Sequence, residues 1–553
     1  MKKGKFLTML SIMLSFIMTA AACVTTPPGG GDDDFKEGTT PLIIANYGGG
    51  FGEDWLIEAG NLFEEKYKDV SFRDGEKGVS VQVQTSKGYN AASILDTMSS
   101  YDHDVFFTTE VDYFNHLGRE NFLDITDIVT EPLTEFGEQA TIESKLSKFF
   151  QDYYKAKDGR YYALPFTYGF YGLIYDADLF DDRGWYFNDD GEFVSDLSEK
   201  SKGLDGKEGT YDDGLPTTYA QFERLLEEIR GTEVVPISWA LKSYMMRWAM
   251  TYWMDYEGYD RGMLNYTIDS EMHGKAEVVT NIIGDGYTAE IQTQEIDINY
   301  DNGVEIQKQP GKYYGLTMLR DVVLGNTDNY IVQSTTFREQ QKNYIKGNLS
   351  SEFTTYAMHV DGDWFENEAA TDFNSLSQLF DNTTRKDRRF AFMPIPKVSD
   401  SQVGEKQTLF SQGSSGVFIN SSTDVPELAK LFVQYMHTND RLSAFTRDTS
   451  MVRPLNYTMT DADVNAMSYY GKCMKEMVEN SDVVHSFSSS QIFMDNSAYF
   501  DYQTWGWRSL VSNTQHDNPC VAFMDNPNLT AKQYFNGLYY YNLTRWSSVI
   551  KNK

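Results

Sequence analysis

The chain has 553 residues, enough for several domains or for one large two-lobed unit. It carries 48 Lys and Arg against 81 Asp and Glu, which gives a formal net charge of −33. A surface of this charge repels nucleic acid and anionic lipid, so neither is expected as a partner.

The first 40 residues predict export followed by membrane anchoring. Three lysines among the first five residues precede an apolar and small-residue run over 6–22, the order found in secretory signals. Cys23 follows three alanines, where a bacterial lipoprotein signal is cleaved and the new N-terminal cysteine is acylated. We therefore expect a lipoprotein signal peptide over 1–22 and a lipidated, flexible tether over 23–40. An ordinary cleaved signal, which would leave a soluble secreted protein, is the alternative.

The rest of the sequence offers no second anchor and no disulfide framework. No other apolar run reaches the roughly 18 residues that a membrane span needs. Apart from Cys23, only Cys473 and Cys520 are present, and they either form one disulfide or remain two thiols.

Short apolar strands alternate with helices after the tether. Branched residues over 41–47 and the period-two pattern over 79–84 predict strands, and 102–110 predicts a third. Between the first two, apolar residues after position 53 recur at helical spacing, and a second helix is expected through Ile94 and Met98. This order predicts a parallel sheet with helices on its faces, an α/β fold.

A glycine-rich loop over 48–52 follows the first strand. It lacks the Lys-Ser/Thr ending of a P-loop and does not complete a dinucleotide fingerprint, which excludes a nucleotide site. Two interpretations remain. The loop is either a tight turn or a backbone rim at the carboxyl end of the strand, where open α/β sheets bind ligands and where Tyr47 and Gly48 would contact one.

The segment DGRYYALPFTYGFYGLIYDADLFDDRGW, over 158–185, resembles the lobe-to-lobe segment of extracellular solute-binding proteins of carbohydrate-uptake ABC transporters. Blocks that follow the order of the same family lie at 121–129, 215–229, 357–369, 390–397 and 414–436. The resemblance implies a type II periplasmic-binding-protein-like fold, with two lobes, a hinge and a ligand cleft between them. It also implies a carbohydrate ligand, ABC permease subunits as partners and no enzymatic activity.

The resemblance also sets the expected domain boundaries. Lobe 1 would take 41–165 and 414–475, lobe 2 would take 166–413 with insertions near 186–215 and 255–350, and a C-terminal helical region over 476–553 would close the cleft.

Sugar recognition needs flat aromatic surfaces for the C–H faces and planar polar groups for the hydroxyls. Asp361, Asp363 and Trp364 supply both, and the resemblance places Trp364 in the cleft, with a core position as the alternative. The other candidate ligand-binding residues, for which a core, hinge, turn or ion-pair role is the alternative, are Thr108, Glu110, Phe166, Tyr168, Trp239, Ser414, Arg453 and Trp505.

An acidic, Gly-rich stretch over 204–216 contains Asp205, Asp212 and Asp213, which are oxygen ligands of the kind that Ca²⁺ prefers. Their spacing does not match an EF-hand, so solvated turn residues are the alternative to a structural calcium site. No cofactor is otherwise required.

The sequence favours a monomeric carbohydrate receptor, lipid-anchored on the outer face of the membrane of a Gram-positive bacterium. An oligosaccharide is the expected ligand, because its several sugars need several aromatic platforms and the chain has 37 Tyr, 35 Phe and 9 Trp. A lipid-anchored glycoside hydrolase or a receptor for a non-sugar solute are the alternatives. A hydrolase would need a pair of carboxylates across the sugar, which sequence spacing cannot reveal.

Overall fold

The computed structural model describes residues 35–109, 111, 113–117, 120–325 and 336–550. The predicted signal peptide, Cys23 and Glu110 lie outside these residues. The strands are β1 (Thr40–Tyr47), β2 (Val79–Ser86), β3 (Val105–Thr109), β4 (Tyr171–Asp176), β5 (Val235–Ser238), β6 (Ala276–Ile283), β7 (Glu290–Ile296), β8 (Tyr356–Gly362), β9 (Phe390–Phe392), β10 (Thr408–Ser411), β11 (Ser415–Ile419), β12 (Asp482–His485), β13 (Ser509–Val511) and β14 (Thr514–His516).

The helices surround these strands, and a π-helix spans Tyr502–Trp507. They are α1 (Asp54–Tyr67), α2 (Ala91–Ile94), α3 (Tyr113–His116), α4 (Thr126–Thr130), α5 (Ile142–Lys145), α6 (Lys148–Tyr154), α7 (Ala177–Arg183), α8 (Tyr219–Arg230), α9 (Lys242–Thr267), α10 (Ser270–His273), α11 (Pro310–Gly325), α12 (Phe337–Lys346), α13 (Phe365–Glu368), α14 (Ala370–Ser377), α15 (Pro426–Met436), α16 (Asn439–Thr449), α17 (Asp461–Ala466), α18 (Tyr469–Asn480), α19 (Gln491–Asn496), α20 (Pro519–Asp525) and α21 (Ala531–Val549).

Lobe 1 is built on a sheet with strand order β11-β3-β1-β2. The first three strands in the chain run parallel, and β11 joins antiparallel to β3. Leu42, Ile44 and Ala45 are fully buried in β1, because both faces of a parallel sheet are covered. The sequence predicts these three strands. Where it predicts a second helix, the structure has the single turn α2 and a 3₁₀ turn from Met98.

Lobe 2 is built on a second sheet, with order β5-β8-β4-β9. Two adjacent crossover segments connect it to lobe 1. The Ser415 hydroxyl accepts hydrogen bonds from Phe166 N and Thr167 N at 3.0 and 3.1 Å. Gln412 N donates to Gly169 O at 2.9 Å. The two crossovers are therefore joined to each other along their length and form one connection between the lobes.

The C-terminal region packs on the insertion of lobe 2. Helices α20 and α21 contact α11, and α9, which is broken at Gly258 (φ 73°), contacts α11, β10 and β12.

Cys473 and Cys520 are both buried and unbonded, which selects two thiols over a disulfide, and burial raises the pKa of each to about 12. Across the described ranges, no helix has the length and apolarity to cross a bilayer.

Asp363 links the end of β8 to the first crossover. Its N–H donates to Phe170 O at 3.0 Å, and its Oδ1 accepts from Phe170 N at 3.3 Å. The side chain is 1% exposed, and this burial raises the pKa of Asp363 to about 7. The carboxyl therefore stays protonated to a higher pH in the folded protein than in the unfolded chain.

Because the pKa of Asp363 is higher in the folded state than in the unfolded chain, its contribution favours folding at low pH. That contribution is lost as pH rises from about 4 towards 7. Asp363→Asn keeps the neutral shape. We expect the wild type to lose roughly 1–3 kcal/mol of unfolding free energy relative to Asp363→Asn between pH 4 and pH 8, measured by urea denaturation. Asp424→Asn, at a side chain 90% exposed, should keep the wild-type pH dependence. Parallel pH curves for Asp363→Asn and the wild type would show that the prediction is wrong.

Candidate ligand-binding cleft

A cleft with a volume of about 240 Å³ lies between the lobes, where β1, β2 and β3 end. This carboxyl edge is where open α/β sheets bind ligands. Lobe 1 lines the cleft with Tyr47, Gly49, Gly50, Phe51, Lys87 and Thr109. Lobe 2 lines it with Tyr171, Tyr244, Arg247, Phe337, Trp364 and Glu368, and the remaining lining residues are Thr167, Tyr168, Gly169, Gln412, Gly413, Ser414, Ser415 and Met451.

Three aromatic side chains of lobe 2 form one corner of the cleft. The rings of Trp364 and Tyr171 meet edge to face, with centroids 5.0 Å apart and planes at 87°. Tyr244 packs on both, at 6.1 Å from Trp364 and 5.0 Å from Tyr171. Gly362 leaves room beneath the Trp364 indole, because a Cβ there would lie 2.3 Å from Cζ2. Trp364 itself is half-buried, so part of its ring faces the cleft.

The glycine loop after β1 forms the opposing rim and touches lobe 2 directly. Asn367 Nδ2 donates to Gly50 O at 2.9 Å. A Cβ on Gly50 would lie 2.5 Å from Trp364 Cβ, so only glycine allows this approach. The loop therefore lines the cleft with its backbone, the second of the two interpretations that its sequence leaves open.

Arg247 and Gln412 place polar groups on the lobe 2 side. Arg247 Nη1 donates to the Tyr171 hydroxyl at 3.0 Å, and its guanidinium lies over the Tyr502 ring at 4.1 Å. Gln412 Nε2 donates to Arg247 O at 2.7 Å. Gln412 Oε1 is buried and has no hydrogen-bond partner among the described residues. These contacts hold Arg247 and Gln412 in place at the wall of the cleft.

Lys87 and Glu368 bring opposite charges to the two walls. Lys87 Nζ lies 5.4 Å from the centroid of the Phe337 ring, across the cleft. Glu368 Oε2 accepts from Gln341 Nε2 at 2.7 Å. Burial and the charge of Asp361 raise the pKa of Glu368, while Lys87 acts in the opposite direction. The cleft thus offers a cation on lobe 1 and a carboxylate on lobe 2.

Four of the residues expected at a binding site line this cleft, namely Tyr47, Tyr168, Trp364 and Ser414. Gly48 precedes the lining residue Gly49, and its N–H continues the β1–β2 pairing by donating to Ser86 O at 3.0 Å. Glu110 cannot be placed, since it lies outside the described residues.

Three expected aromatic contacts are core residues instead. Phe166 is fully buried and packs on Phe51 and Phe107, with ring centroids 5.2 and 5.5 Å away. Trp239 is also fully buried, directly after β5. Trp505 is 1% exposed and stacks on Trp546 at 5.7 Å, so the C-terminal region does not cover the cleft with it. No described residue after Met451 lines the cleft, and closure of the cleft by 476–553 stays a prediction.

The polar candidates Thr108, Asp361, Asp363 and Arg453 are buried beside the cleft rather than in it. The Thr108 hydroxyl donates to Tyr89 O at 2.8 Å, and its neighbour Thr109 lines the cleft because side chains alternate along β3. Asp361 Oδ2 accepts from Gln341 Nε2 at 2.8 Å. Asp361 and Asp363 therefore support the turn that carries Trp364. Arg453 is also buried, at 1% exposure.

The acidic insertion brings its three aspartates together around one hydroxyl. Thr210 Oγ1 lies 3.2 Å from Asp205 Oδ1, 2.9 Å from Asp212 Oδ1 and 3.3 Å from Asp213 Oδ1. In the part of the chain that the structure describes, no group of three or more His, Cys, Asp or Glu is arranged to hold a metal ion. Calcium at this loop stays a prediction.

Sequence reasoning missed Lys87, Arg247, Glu368 and Gln412. Lys87 follows β2 directly, and Gln412 lies between β10 and β11, so strand ends give a signal for both. Arg247 lies inside α9 and Glu368 ends α13, and nothing in their local sequence separates them from solvated helix residues.

Comparison with known proteins relates this chain to a protein family. The model of the bacterial extracellular solute-binding protein family matches residues 54–440. A comparison with curated protein sequences found no match.

Three solved structures are similar over most of their length. RafE, an SBP in complex with raffinose, is 14% identical, with a TM-score of 0.50 over 91% of this chain and 98% of RafE. The Thermus thermophilus maltotriose binding protein bound with maltotriose is 11% identical, with a TM-score of 0.49 over 92% and 99%. The bacterial solute receptor AcbH, with its exclusive preference for b-D-galactopyranose, is 12% identical, with a TM-score of 0.47 over 92% and 100%.

At this identity the likeness to RafE concerns the fold alone, and it confirms the two-lobed α/β architecture expected from the sequence. Because the family model matches well over half of the chain, the protein belongs to the bacterial extracellular solute-binding protein family.

Proposed function

We propose that the protein is the substrate-binding component of an ABC importer and that it binds a carbohydrate in the interlobe cleft. The observation that carries this proposal is the corner formed by Trp364, Tyr171 and Tyr244, with hydrogen-bonding groups beside it. Aromatic faces suit the C–H faces of a sugar ring, and Glu368 accepts hydrogen bonds from its hydroxyls. RafE, which shares the fold, was solved with raffinose, and this supports the same ligand class.

The cleft volume of about 240 Å³ favours a short saccharide over a long one. It is slightly below the roughly 300–1,000 Å³ of sites that enclose drug-sized ligands. In this conformation the lobes touch through Gly50 and Asn367. The volume is therefore that of the cleft with its two lobes in contact. A longer oligosaccharide would have to extend out of the cleft.

A glycoside hydrolase is the less favoured alternative. Hydrolysis of a glycosidic bond requires two carboxyl groups on opposite sides of the scissile bond. Glu368 is the one acidic residue among the described residues that line the cleft. The membership of a solute-binding family also supports a receptor that releases its ligand intact.

We further propose that the protein is anchored through Cys23 to the outer face of a Gram-positive membrane and passes its ligand to permease subunits as a monomer. The charge-then-apolar order of 1–22 and the position of Cys23 support the anchor. Family membership supports the permease partner.

The proposed function is tested by a thermal-shift screen of residues 35–553 against mono- and oligosaccharides, with each incubated sugar then checked for cleavage. A sugar at about 100 times its Kd should stabilise the protein by roughly 2.7 kcal/mol, which raises Tm visibly. A selective rise with intact sugar supports the receptor, and a cleaved sugar supports the hydrolase. No rise with any sugar would overturn the carbohydrate proposal and leave a non-sugar solute.

Trp364→Ala should weaken binding of the sugar that the screen selects. The loss of a central aromatic contact should cost roughly 1–3 kcal/mol of binding free energy, measured by calorimetric titration. Tyr540→Ala serves as control, because Tyr540 is 57% exposed and lies outside the cleft. The affinity of this variant for the sugar should equal that of the wild type. Unchanged affinity of Trp364→Ala would mean that the aromatic corner does not contact the ligand.

Gly50→Ala should weaken binding by hindering closure. The new methyl group would lie 2.5 Å from Trp364 Cβ only when the lobes touch, so the cost falls on the closed form. We expect at least a tenfold loss of affinity, or roughly 1.4 kcal/mol, and a smaller ligand-induced decrease in the radius of gyration by small-angle X-ray scattering. Gly88→Ala, with a Cβ 3.3 Å from a serine hydroxyl, should behave like the wild type. Full closure and affinity in Gly50→Ala would contradict this role.

Cys23→Ala should release the protein from membranes into the medium, because acylation needs the cysteine thiol. Fractionation of producing cells followed by immunoblotting measures the distribution. Cys473→Ala, at a buried thiol, is the control that should remain on the membrane. Retention of Cys23→Ala on membranes would disprove lipidation at this residue.

A further inference from the structure

Asn367 contributes a hydrogen bond between the lobes that depends on which way its carboxamide faces. Asn367 Nδ2 donates to Gly50 O at 2.9 Å. A carboxamide has donors on its nitrogen and acceptors on its oxygen, and the two ends have nearly the same shape. If the two ends changed places, the oxygen would face the carbonyl oxygen of Gly50 and repel it. The contact between the lobes therefore requires a group that fixes the orientation of this side chain.

The guanidinium of Arg385 fixes that orientation. Arg385 lies between α14 and β9 in lobe 2, and its Nη1 donates to Asn367 Oδ1 at 3.2 Å. A guanidinium has donors and no acceptor, so it pairs with the oxygen end of the carboxamide alone. Because Arg385 holds the oxygen, the nitrogen is the end that faces Gly50.

A buried carboxylate holds Arg385 in its turn. Arg385 Nη2 donates to Glu366 Oε2 at 3.1 Å, and Glu366 is 2% exposed. The same carboxylate oxygen accepts from the hydroxyls of Ser450 and Ser468 at 2.7 and 2.8 Å. Charge-assisted hydrogen bonds of this kind are stronger than those between neutral groups. The guanidinium therefore has a defined position that does not depend on its contact with Asn367.

Arg385 also contacts lobe 1. Its Nη1 and Nη2 both lie 3.4 Å from Asp448 O, one residue before the end of α16. This helix belongs to lobe 1, because its Phe445 packs on Trp55 of α1 with ring centroids 4.9 Å apart. The C-terminal end of a helix favours a cation, since its unpaired carbonyls carry partial negative charge. One guanidinium thus bonds to both lobes.

We propose that Arg385 is a positioning residue for lobe closure: it turns the NH₂ group of Asn367 towards Gly50 and so raises the population of the closed form. Neither Arg385 nor Asn367 is among the described residues that line the cleft, so the effect reaches a ligand through closure and not through contact. Affinity for every solute that requires closure should then change by the same factor. This consequence for affinity rests on the proposed function, whereas the closed population is a property of the protein without a ligand.

The closed population is tested by double electron–electron resonance on the ligand-free protein over residues 35–553, with one spin label on each lobe. The labels are attached through Glu65→Cys in lobe 1 and Glu233→Cys in lobe 2, at side chains 71% and 72% exposed. Cys473 and Cys520 are buried, so they should remain unlabelled. The distance distribution then gives the ratio of closed to open molecules.

In this labelled background, Arg385→Met should lower the closed-to-open ratio about three- to tenfold, the scale of one or two net hydrogen bonds. Asn367→Ala should also lower it, and Arg385→Met should have a smaller effect once Asn367 is replaced, because the two residues act through one contact. Arg160→Met, at a side chain 57% exposed, should give the wild-type ratio. Equal distributions for Arg385→Met and the wild type would overturn the proposal, and so would independent, additive effects of the two substitutions.

Asn367→Asp separates the orientation of the side chain from its packing, because Asp keeps the shape and an oxygen for Arg385. Its other carboxylate oxygen would face Gly50 O, which places two acceptors against each other without a proton. We expect a closed-to-open ratio below that of Asn367→Ala, with urea unfolding used to check that each variant is folded. A wild-type ratio in Asn367→Asp would show that the NH₂ group is not needed and would overturn the proposal.

The consequence for affinity is tested with the solute that the thermal-shift screen selects. Its Kd should rise in Arg385→Met by the factor by which the closed population falls. A lower closed population with an unchanged Kd would overturn this consequence. If no sugar binds, the carbohydrate proposal fails, but the spin-label distances still decide the role of Arg385 in closure.

Discussion

The hydroxyl of Ser415 holds the two crossover segments together, and the geometry of the cleft depends on this contact. It accepts from Phe166 N and Thr167 N and donates to Thr167 O at 3.0 Å, which uses both lone pairs and the proton. The Tyr154 hydroxyl bonds to the carbonyl of the same residue, so the hinge is also tied to a helix of lobe 1. A hinge fixed at this point lets the lobes rotate while Thr167, Tyr168 and Ser414 stay at the floor of the cleft. Ligand contacts from the two lobes can then be added without loss of those at the floor.

Closure brings a backbone of lobe 1 against a ring of lobe 2. The contact between Gly50 and Trp364 needs a residue without a side chain on one side and a half-buried indole on the other. Asp361 and Asp363 are not among the residues that line the cleft, but they fix the turn that presents this indole. A ligand that contacts both Trp364 and the 48–52 loop would therefore stabilise the closed form more than the open form, which is the condition for a population shift.

The sequence predicts the fold more completely than it predicts the binding site. Period-two and branched runs predict β1, β2 and β3, and the helical spacing after position 53 predicts α1, which buries Trp55, Leu56 and Phe63. Whether a residue belongs to the site depends on which side of its strand or helix it faces. Along a strand, a shift of one position reverses that side. Thr108 is buried and Thr109 lines the cleft, although both end the same strand. Trp364 is half-buried at the cleft, whereas packing on Trp546 makes Trp505 a core residue. Arg247 and Glu368 enter the cleft because distant segments converge there.

The charge of the whole chain is a poor guide to the charge of its cleft. The protein has a net charge of −33, but Lys87 and Arg247 line the cleft together with the single described carboxylate of Glu368. Arg247 lies between the rings of Tyr171 and Tyr502, and Lys87 lies over Phe337 and lowers the pKa that burial raises in Glu368. Each charge is thus stabilised by a ring or by an opposite charge before any ligand enters. A neutral, hydroxyl-rich solute leaves these interactions in place and adds hydrogen bonds to them. An ionic solute would have to compete with them and pay for its own desolvation.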